Sequence, residues 1–324
     1  MHNRNFSIIT PTFNQLDWLS LCIASVRDQV VTTPSTLDSG LSTPAIEHII
    51  QDAGTPGIKE LARELGAEFH RDGQLIYSEQ KETRDERRET SHLHPEAANE
   101  DRPAYTIKIF SEKDAGMYDA INRGLARSAG EICAWLNSDE QYLPNTLSKV
   151  AEIFQQRTNL DVLLGDAILL NSSLNAVCYR RIMVPSLWHT RLDHLHSLSC
   201  AMFFKKSSLS SPPLDPRWKV VSDAILIEHF LLSKKNIHTC RLPLATYALT
   251  GQNLSADKCC NELEQWWAET RWPPRELKPL VVIQNRFRRL LSGAYQNFQL
   301  HTKIHTSTGY KYLRGSVSGL WPRQ

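Results

Sequence analysis

No apolar run in this chain of 324 residues reaches the ~18–20 residues needed to span a bilayer. The opening MHNRNFSIIT lacks the apolar stretch of a secretion signal. Cysteine is sparse and unpatterned: seven residues, an odd number, with no C-x-x-C spacing. That argues against a disulfide framework and against a zinc ribbon. The adjacent Cys259 and Cys260 read as two reduced thiols, so a reducing, cytoplasmic setting is expected. Glycine-rich phosphate loops are also missing. Neither G-x-x-x-x-G-K-[ST] nor G-x-G-x-x-G follows the first expected strand, which disfavours kinases, ATPases and nicotinamide enzymes. The net charge is only +2, too small overall to suggest a nucleic-acid partner.

What is present is an alternation of strands and helices. FSIIT (6–10) reads as a short buried strand, followed by a helix with Leu19, Ile23, Val26 and Val30 on one face. Asn14 and Asp17 have capping-box spacing. IEHIIQD (46–52) is a second strand, and GIKELARELG a helix stopped at Gly66. YTIKIF (105–110) is a third strand, with Met117, Ile121 and Leu125 at helical spacing after it. EICAWL (131–136) is a fourth, followed by a helix that starts near Pro144 and turns Leu147, Val150 and Phe154 inward. DVLLGDAILL (161–170) is a fifth. The pattern predicts an α/β fold with a mostly parallel central sheet flanked by helices. Further on, 199–206 and 240–249 read as extended and 221–235 as a helix.

Two segments break the rhythm and read as insertions: 31–45, rich in Thr, Ser, Pro and Gly, and 78–103, highly charged with almost no core residues. At the other end, residues 271 onward hold ten Lys or Arg and a single acid, Glu276, interleaved with aromatics such as Trp272, Phe287, Tyr295 and Trp321. Within that stretch, 280–295 has the make-up of an interfacial helix, with Arg286, Arg288 and Arg289 at its polar edge. The expected division is a catalytic domain over 1–255 and a helical, basic extension over 256–324, the latter facing an anionic membrane.

The ends of the strands carry the chemistry. In an open parallel sheet, ligands bind beyond the carboxyl ends of the strands. Those ends here are Thr10-Pro11-Thr12, Asp52, Glu112 with Asp114, and Asn137-Ser138-Asp139-Glu140. Acids converging there repel one another unless a cation or a donor-rich ligand sits among them. A hard divalent ion, Mn²⁺ or Mg²⁺, suits Asp139 and leaves positions open for phosphate oxygens. Taken singly, each of these residues could equally be a helix cap or a turn former. Clustered histidines at 189, 194 and 196 offer a metal or diphosphate contact through His196, or a plain solvated loop.

At these blocks the chain resembles a bacterial family 2 glycosyltransferase of the surface-polysaccharide type. The resemblance rests on FSIITPTFNQLDWLSLCIASVRDQ, IEHIIQDAGTPG, SEKDAGMYDAINRGLARSAGEICAWLNSDEQYLPNTL and VVSDAILIEHFLLS, and spans about residues 5–255 without the insertions. It implies a GT-A fold. By position it implies Pro11, Thr12 and Asn14 on the nucleotide-binding edge, Asp52 at the base or ribose, and Asp114 and Asp119 lining the donor pocket. Asn137-Ser138-Asp139 stands at the Asp-x-Asp position, whose last acid binds the metal. Asp223 matches the catalytic base, and Lys219 with LTGQNLS (249–255) the acceptor side. The sequence departs from the pattern where Asn137 replaces the first acid and where Ser222, Ala224 and Ile225 surround the base.

The activity so implied is inverting transfer of a sugar from a nucleotide-diphosphate donor, with a UDP-sugar favoured, to a glycan or lipid-linked acceptor. A metal would stabilise the leaving diphosphate, and a carboxylate would take the acceptor proton. The alternatives are a degenerate sugar-nucleotide binder and a nucleotidyltransferase. The second would be expected to show a basic glycine loop where PTFNQLDW stands.

Overall fold

The structure, a computed structural model, describes residues 5–31, 45–78, 105–193, 197–251 and 255–322. The expected insertions, apart from residues 31, 45 and 78, lie outside the described residues, as do His194 and His196.

The first strand, β1 (Phe6–Thr12), is buried along its whole length and lies at the centre. It pairs in parallel with β2 (Ile46–Asp52) on one side and β6 (Ile132–Trp135) on the other. A strand buried on both faces is mostly apolar, as β6 is, and the polar Ser7, Thr10 and His48 buried in β1 and β2 are hydrogen-bonded, Ser7 to Glu47 and Thr10 to His48. Beyond β2 lie β5 (Tyr105–Ser111), β3 (Glu68–Arg71) and β4 (Gln74–Tyr77). Beyond β6, β10 (Met202–Lys205) enters antiparallel and leads to β8 (Val162–Asn171), β11 (Ile237–Leu249) and β7 (Gln141–Tyr142). A further strand, β9 (Ala176–Arg180), hangs from β8. The mixed α/β architecture with a large parallel region matches the expectation.

Helices cover the sheet as the apolar spacing requires. On α1 (Leu16–Val31), Leu19, Ile23 and Val26 are fully buried and Val30 packs at the edge. Short α2 (Ile58–Glu64) stops at Gly66, whose φ is +62°. Helix α3 (Met117–Arg127) follows β5, and α4 (Thr146–Gln156) buries Leu147, Val150 and Phe154. Gly124 of α3 has no room for a side chain: an added Cβ would lie 2.5 Å from Ile9 Cγ2. This contact seats α3 against β1.

Three expectations need correction. Asn14 does not cap α1. Its φ is +55° and its N–H goes to Thr55 Oγ1, while the Gln15 carbonyl takes the first helical hydrogen bond, from Leu19. The β3–β4 hairpin was not expected. Its turn, Asp72-Gly73, has both φ angles positive, +47° and +81°, the geometry that Asp-Gly favours between twisted strands. Finally, the C-terminal region is not all helical. After α5 (Leu187–Leu192) and α6 (Ser222–Leu232) come α7 (Ser255–Thr270) and α8 (Lys278–Leu291), but then a hairpin, β12 (Asn297–Thr306) with β13 (Gly309–Ser318). Leu300, Ile304, Leu313 and Val317 of this hairpin alternate inward and pack on Leu143, Ile168, Leu170 and Tyr179. Gln141 and His305 exchange two hydrogen bonds of 3.1 and 2.8 Å, joining the hairpin to β7.

Candidate active site

Strand order reverses at β1, since β2 lies to one side and β6 to the other. At such a switch point the carboxyl ends open a crevice that loops cannot fill. Here it is a cleft of about 1820 Å³. From the end of β1 come Pro11, Thr12, Phe13 and Gln15; from beyond β6 come Asn137, Ser138 and Asp139; from the start of α6 comes Asp223.

Local bonding explains how each group is held. Leu136 donates its N–H to the Ile9 carbonyl, extending the β1–β6 pairing to the edge of the site. Ser138 Oγ then donates to Gln15 Oε1, tying the loop after β6 to the start of α1. Glu140 is fully buried, and its Oε2 accepts the Asn137 N–H at 2.7 Å. Burial, followed by the charge of Asp139, pushes the Glu140 carboxyl well up. Burial alone pushes the Asp139 carboxyl up to about 6. Asn137 Oδ1, Glu140 Oε1 and Thr12 Oγ1 are buried with no hydrogen-bond partner. Carboxylates driven toward their neutral form, beside orphaned oxygens, are a donor set that a hard cation would complete. Among the described residues, no group of three or more His, Cys, Asp or Glu is gathered to hold a metal unaided. Asp139 with its neighbouring oxygens would supply part of a shell and a ligand the rest.

Asp223 is positioned by two helices and a loop. Tyr118 Oη donates to the Val220 carbonyl at 2.8 Å, and Asn122 brackets Leu214 with bonds of 2.7 and 3.1 Å. From α7, Glu262 accepts the N–H groups of Lys219, Val220 and Val221. Ser222 is buried, and its Oγ accepts the Asp215 N–H at 2.9 Å. The start of α6 is thereby fixed, and Asp223 lies in its first turn. Burial pushes the Asp223 carboxyl up to about 6. Lys219 lines the cleft, while its ammonium donates to the Ala115 and Pro216 carbonyls at 2.9 and 3.3 Å.

The other expected residues divide in two. Asp114 lines the cleft, and its Oδ1 accepts the Gly116 N–H at 2.9 Å. Burial raises its carboxyl. Asp52, Glu112, Asp119 and Asn14 are not on the cleft wall. Asp52 is fully buried, and its carboxylate accepts from Gly54 N, Thr55 N and Ser111 Oγ, so it shapes the loop after β2. Glu112 pairs with Arg127 at 2.7 Å and Arg123 at 3.4 Å, and the Arg127 hydrogen bond chiefly holds its carboxyl below the usual range. Asp119 pairs with Arg123 at 2.9 Å and accepts the Ala115 N–H. These acids found donors within the protein, which makes them parts of the frame. His196 lies outside the described residues, as do 252–254 of the LTGQNLS stretch, whose Leu249 and Gly251 line the cleft.

Several wall residues were missed by sequence reasoning. Phe13 stands 59% exposed on the cleft wall. Arg180, Arg286 and Arg289 line the wall formed by β9 and α8. Arg289 had been expected at the polar edge of an interfacial helix, yet it is buried. Leu280, Ile283, Phe287, Leu290 and Leu291 of the same helix are instead exposed. The helix presents its apolar row outward and its polar row to the cleft.

Residues 85–209 match the family model described as Glycosyl transferase family 2. A glycosyltransferase of Nostoc sp., itself uncharacterized, is 23% identical over 209 residues, which is 61% of this chain and 63% of that protein. The match thus spans less than two thirds of the relative's length. Among solved structures, the mannosyltransferase PcManGT from Pyrobaculum calidifontis, in complex with GDP-Man and Mn²⁺, aligns with a TM-score of 0.53 at 12% identity, over 88% of this chain and 70% of that one. TarS 1-349 of S. aureus, in complex with UDP-GlcNAc, aligns with a TM-score of 0.47 at 13% identity, over 89% and 73%. With its crevice at the β1–β6 switch point, the chain has a GT-A fold, and over residues 85–209 it is similar to the family 2 glycosyltransferases.

Proposed function

We propose that this chain is an inverting glycosyltransferase. It moves a sugar from a nucleoside-diphosphate donor, first of all a UDP-sugar, to a hydroxyl of a glycan or lipid-linked acceptor in polysaccharide assembly. The observation that carries this reading is the cleft shared by Asp139 and Asp223. Asp139, with Asn137 and Glu140 beside it, would hold Mn²⁺ or Mg²⁺ as expected from the sequence. Such an ion, when bound, supplies Lewis-acid stabilisation of the leaving diphosphate. Pro11, Thr12 and Phe13 form the edge for the nucleoside, and Asp114 the sugar side. Asp223 accepts the proton of the acceptor hydroxyl as its oxygen bonds to the anomeric carbon. The bond from that carbon to the diphosphate breaks on the opposite face, and the nucleoside diphosphate leaves with the electron pair. A base raised to about 6 is deprotonated at neutral pH yet more basic than a solvent-exposed carboxylate.

Calorimetric titration with UDP, GDP and dTDP, each with and without Mn²⁺, tests the donor side. Metal-enhanced binding of one nucleotide is expected. Its absence for all three would overturn the reading. The degenerate-binder alternative is separated by Asp223→Asn, which should keep donor binding and lose transfer.

We also propose that the enzyme works against an anionic membrane on its cytoplasmic face. No helix among the described residues is long and apolar enough to cross a bilayer. The outward row of α8, with Val184, Trp188 and Trp272 exposed beside it, supports contact with the surface of one. Basic residues at an anionic surface contribute about 1 kcal/mol each. Co-sedimentation with phosphatidylglycerol vesicles at low salt is expected, and should be lost in Ile283→Glu with Phe287→Glu. A wild-type protein that stays in the supernatant would end the proposal.

A further inference from the structure

The cleft is larger than one ligand requires. Its volume of about 1820 Å³ exceeds the roughly 300–1,000 Å³ of a single small-molecule site. The groups proposed for the donor come from the ends of β1 and β6. Another stretch of the wall belongs to a different part of the sheet. It includes the end of β9, which pairs with β8, two strands beyond β6 on the side away from β2. Leu320, Trp321 and Pro322, after β13, also line the cleft. The guanidinium carbon of Arg180, the last residue of β9, lies 5.4 Å from the Trp321 ring centre, which places the indole at that stretch. The segment that carries Trp321 is fixed. The Gly319 N–H donates to the Gln296 carbonyl at 2.9 Å, and the Leu320 N–H to Ser318 Oγ at 3.1 Å. A Cβ at Gly319 would collide with the Ala294 carbonyl, so the chain passes there only because this residue is glycine.

Trp321 is 44% exposed. Single exposed apolar side chains are ordinary on a protein surface. This one is anchored inside the crevice that also holds Asp139 and Asp223. The face of an indole is apolar and carries the negative side of its quadrupole. A pyranose ring has a complementary face, made of C–H groups that are slightly positive, with its hydroxyls turned to the rim. Such a ring lies flat on an indole while its hydroxyls stay in water or reach polar groups nearby. The Arg180 guanidinium covers one face of Trp321 and leaves the other for a ligand. We propose that Trp321 is a stacking platform for a sugar ring of the acceptor, so that the acceptor is a glycan where it crosses this wall. The proposal rests on reading the cleft as a transferase site, since it assigns the space beyond the donor to the acceptor.

The test uses the full chain with saturating UDP and Mn²⁺, which occupy the donor side. Cellotetraose, chitotetraose and mannotetraose are titrated in turn, with decyl phosphate as a lipid probe that has no sugar. At least one oligosaccharide should bind with a dissociation constant on the order of 1 mM or tighter. Trp321→Ala should weaken it by about fivefold or more, whereas Trp321→Phe, which keeps an aromatic face, should stay within about twofold. UDP affinity should be the same in both variants. A second readout locates the contact directly: the indole N–H resonance of Trp321, identified by its loss in Trp321→Phe, should move when the oligosaccharide is added. Absence of binding by all three oligosaccharides overturns the platform, as does unchanged affinity in folded Trp321→Ala. Binding of decyl phosphate alone, lost in Trp321→Ala, overturns it in favour of a lipid contact. Failure of UDP to bind, while an oligosaccharide still depends on Trp321, would strike the donor reading alone.

Discussion

The Glu262 carboxylate lies 3.2 Å from the amide nitrogen of Val221, two residues before Asp223. It also takes the N–H groups of Lys219 and Val220, each at 2.8 Å. Amides just ahead of a helix are orphan donors, and a carboxylate there both satisfies them and complements the helix dipole. Glu262 therefore positions Asp223, the proposed base, from a distance. In Glu262→Ala the loop loses three acceptor contacts, and turnover should fall about 10- to 100-fold through misplacement. UDP affinity should stay unchanged, because the donor side has other supports. Equal losses in turnover and in UDP binding would contradict this.

On the proposed mechanism, Asp223 sets the acid limb of the reaction. Its carboxyl is raised to about 6 by burial, and only the deprotonated form can accept a proton. The rate at saturating donor should be level above neutral pH and fall tenfold per unit below about pH 6. Asp223→Asn should reduce transfer by a factor on the order of 10²–10⁴. A pH–rate profile run at constant ionic strength reads the first effect, and product formation at pH 7.5 the second.

Asp139 carries a stability consequence with a definite sign. Its folded-state pKa, about 6, lies above the ordinary carboxylate value of 3.8. The protonated form favours the fold below that ordinary value, and this contribution disappears as pH rises through about 6. In the absence of metal and nucleotide, Asp139→Asn should therefore raise the melting temperature at pH 7.5 and leave it nearly unchanged near pH 3.8. Thermal unfolding at the two pH values checks the sign. The same variant should lose the Mn²⁺-dependent part of UDP binding.

Arg191 and Glu228 form an ion pair with side chains only 6% and 7% exposed. Arg191 also reaches Thr270 Oγ1 and the Trp272 carbonyl, so one guanidinium joins α5, α6 and the end of α7. Glu228→Ala leaves that charge buried without its carboxylate and should cost about 3–5 kcal/mol. Urea denaturation gives the value. A loss under 1 kcal/mol would mean that water reaches the pair.

Much of the frame was legible in the sequence because periodicity reports burial directly. Leu147, Val150 and Phe154 had to share a face, and they do. The placing of a site beyond β1 and β6 followed from strands that end in polar residues. What could not be read was which acids would be matched inside the protein. Asp52, Glu112 and Asp119 look like Asp114 in a sequence, but their N–H and guanidinium partners come together only in the folded chain. Asp119 and Arg123 did stand at i, i+4, a spacing at which such pairs form. The β12–β13 hairpin was hidden by its charges. Its alternating Phe298, Leu300 and Ile304 signalled a strand, whereas the Lys and Arg around them suggested a surface tail. On α8 the apolar row points outward, as an interfacial helix would have it, and Asn285, Arg286 and Arg289 face the cleft.

Gln141 follows Glu140 directly, and its side chain is bonded twice to His305 of the C-terminal hairpin. The C-terminal hairpin is thus fastened next to the loop that carries Asp139. Anything that prised β12 away, whether heat, a protease nick or a truncation before residue 297, would be felt at that carboxylate after only two peptide units. The hairpin braces that loop from the far end of the chain, so on the proposed mechanism its loss would be read in turnover as well as in stability.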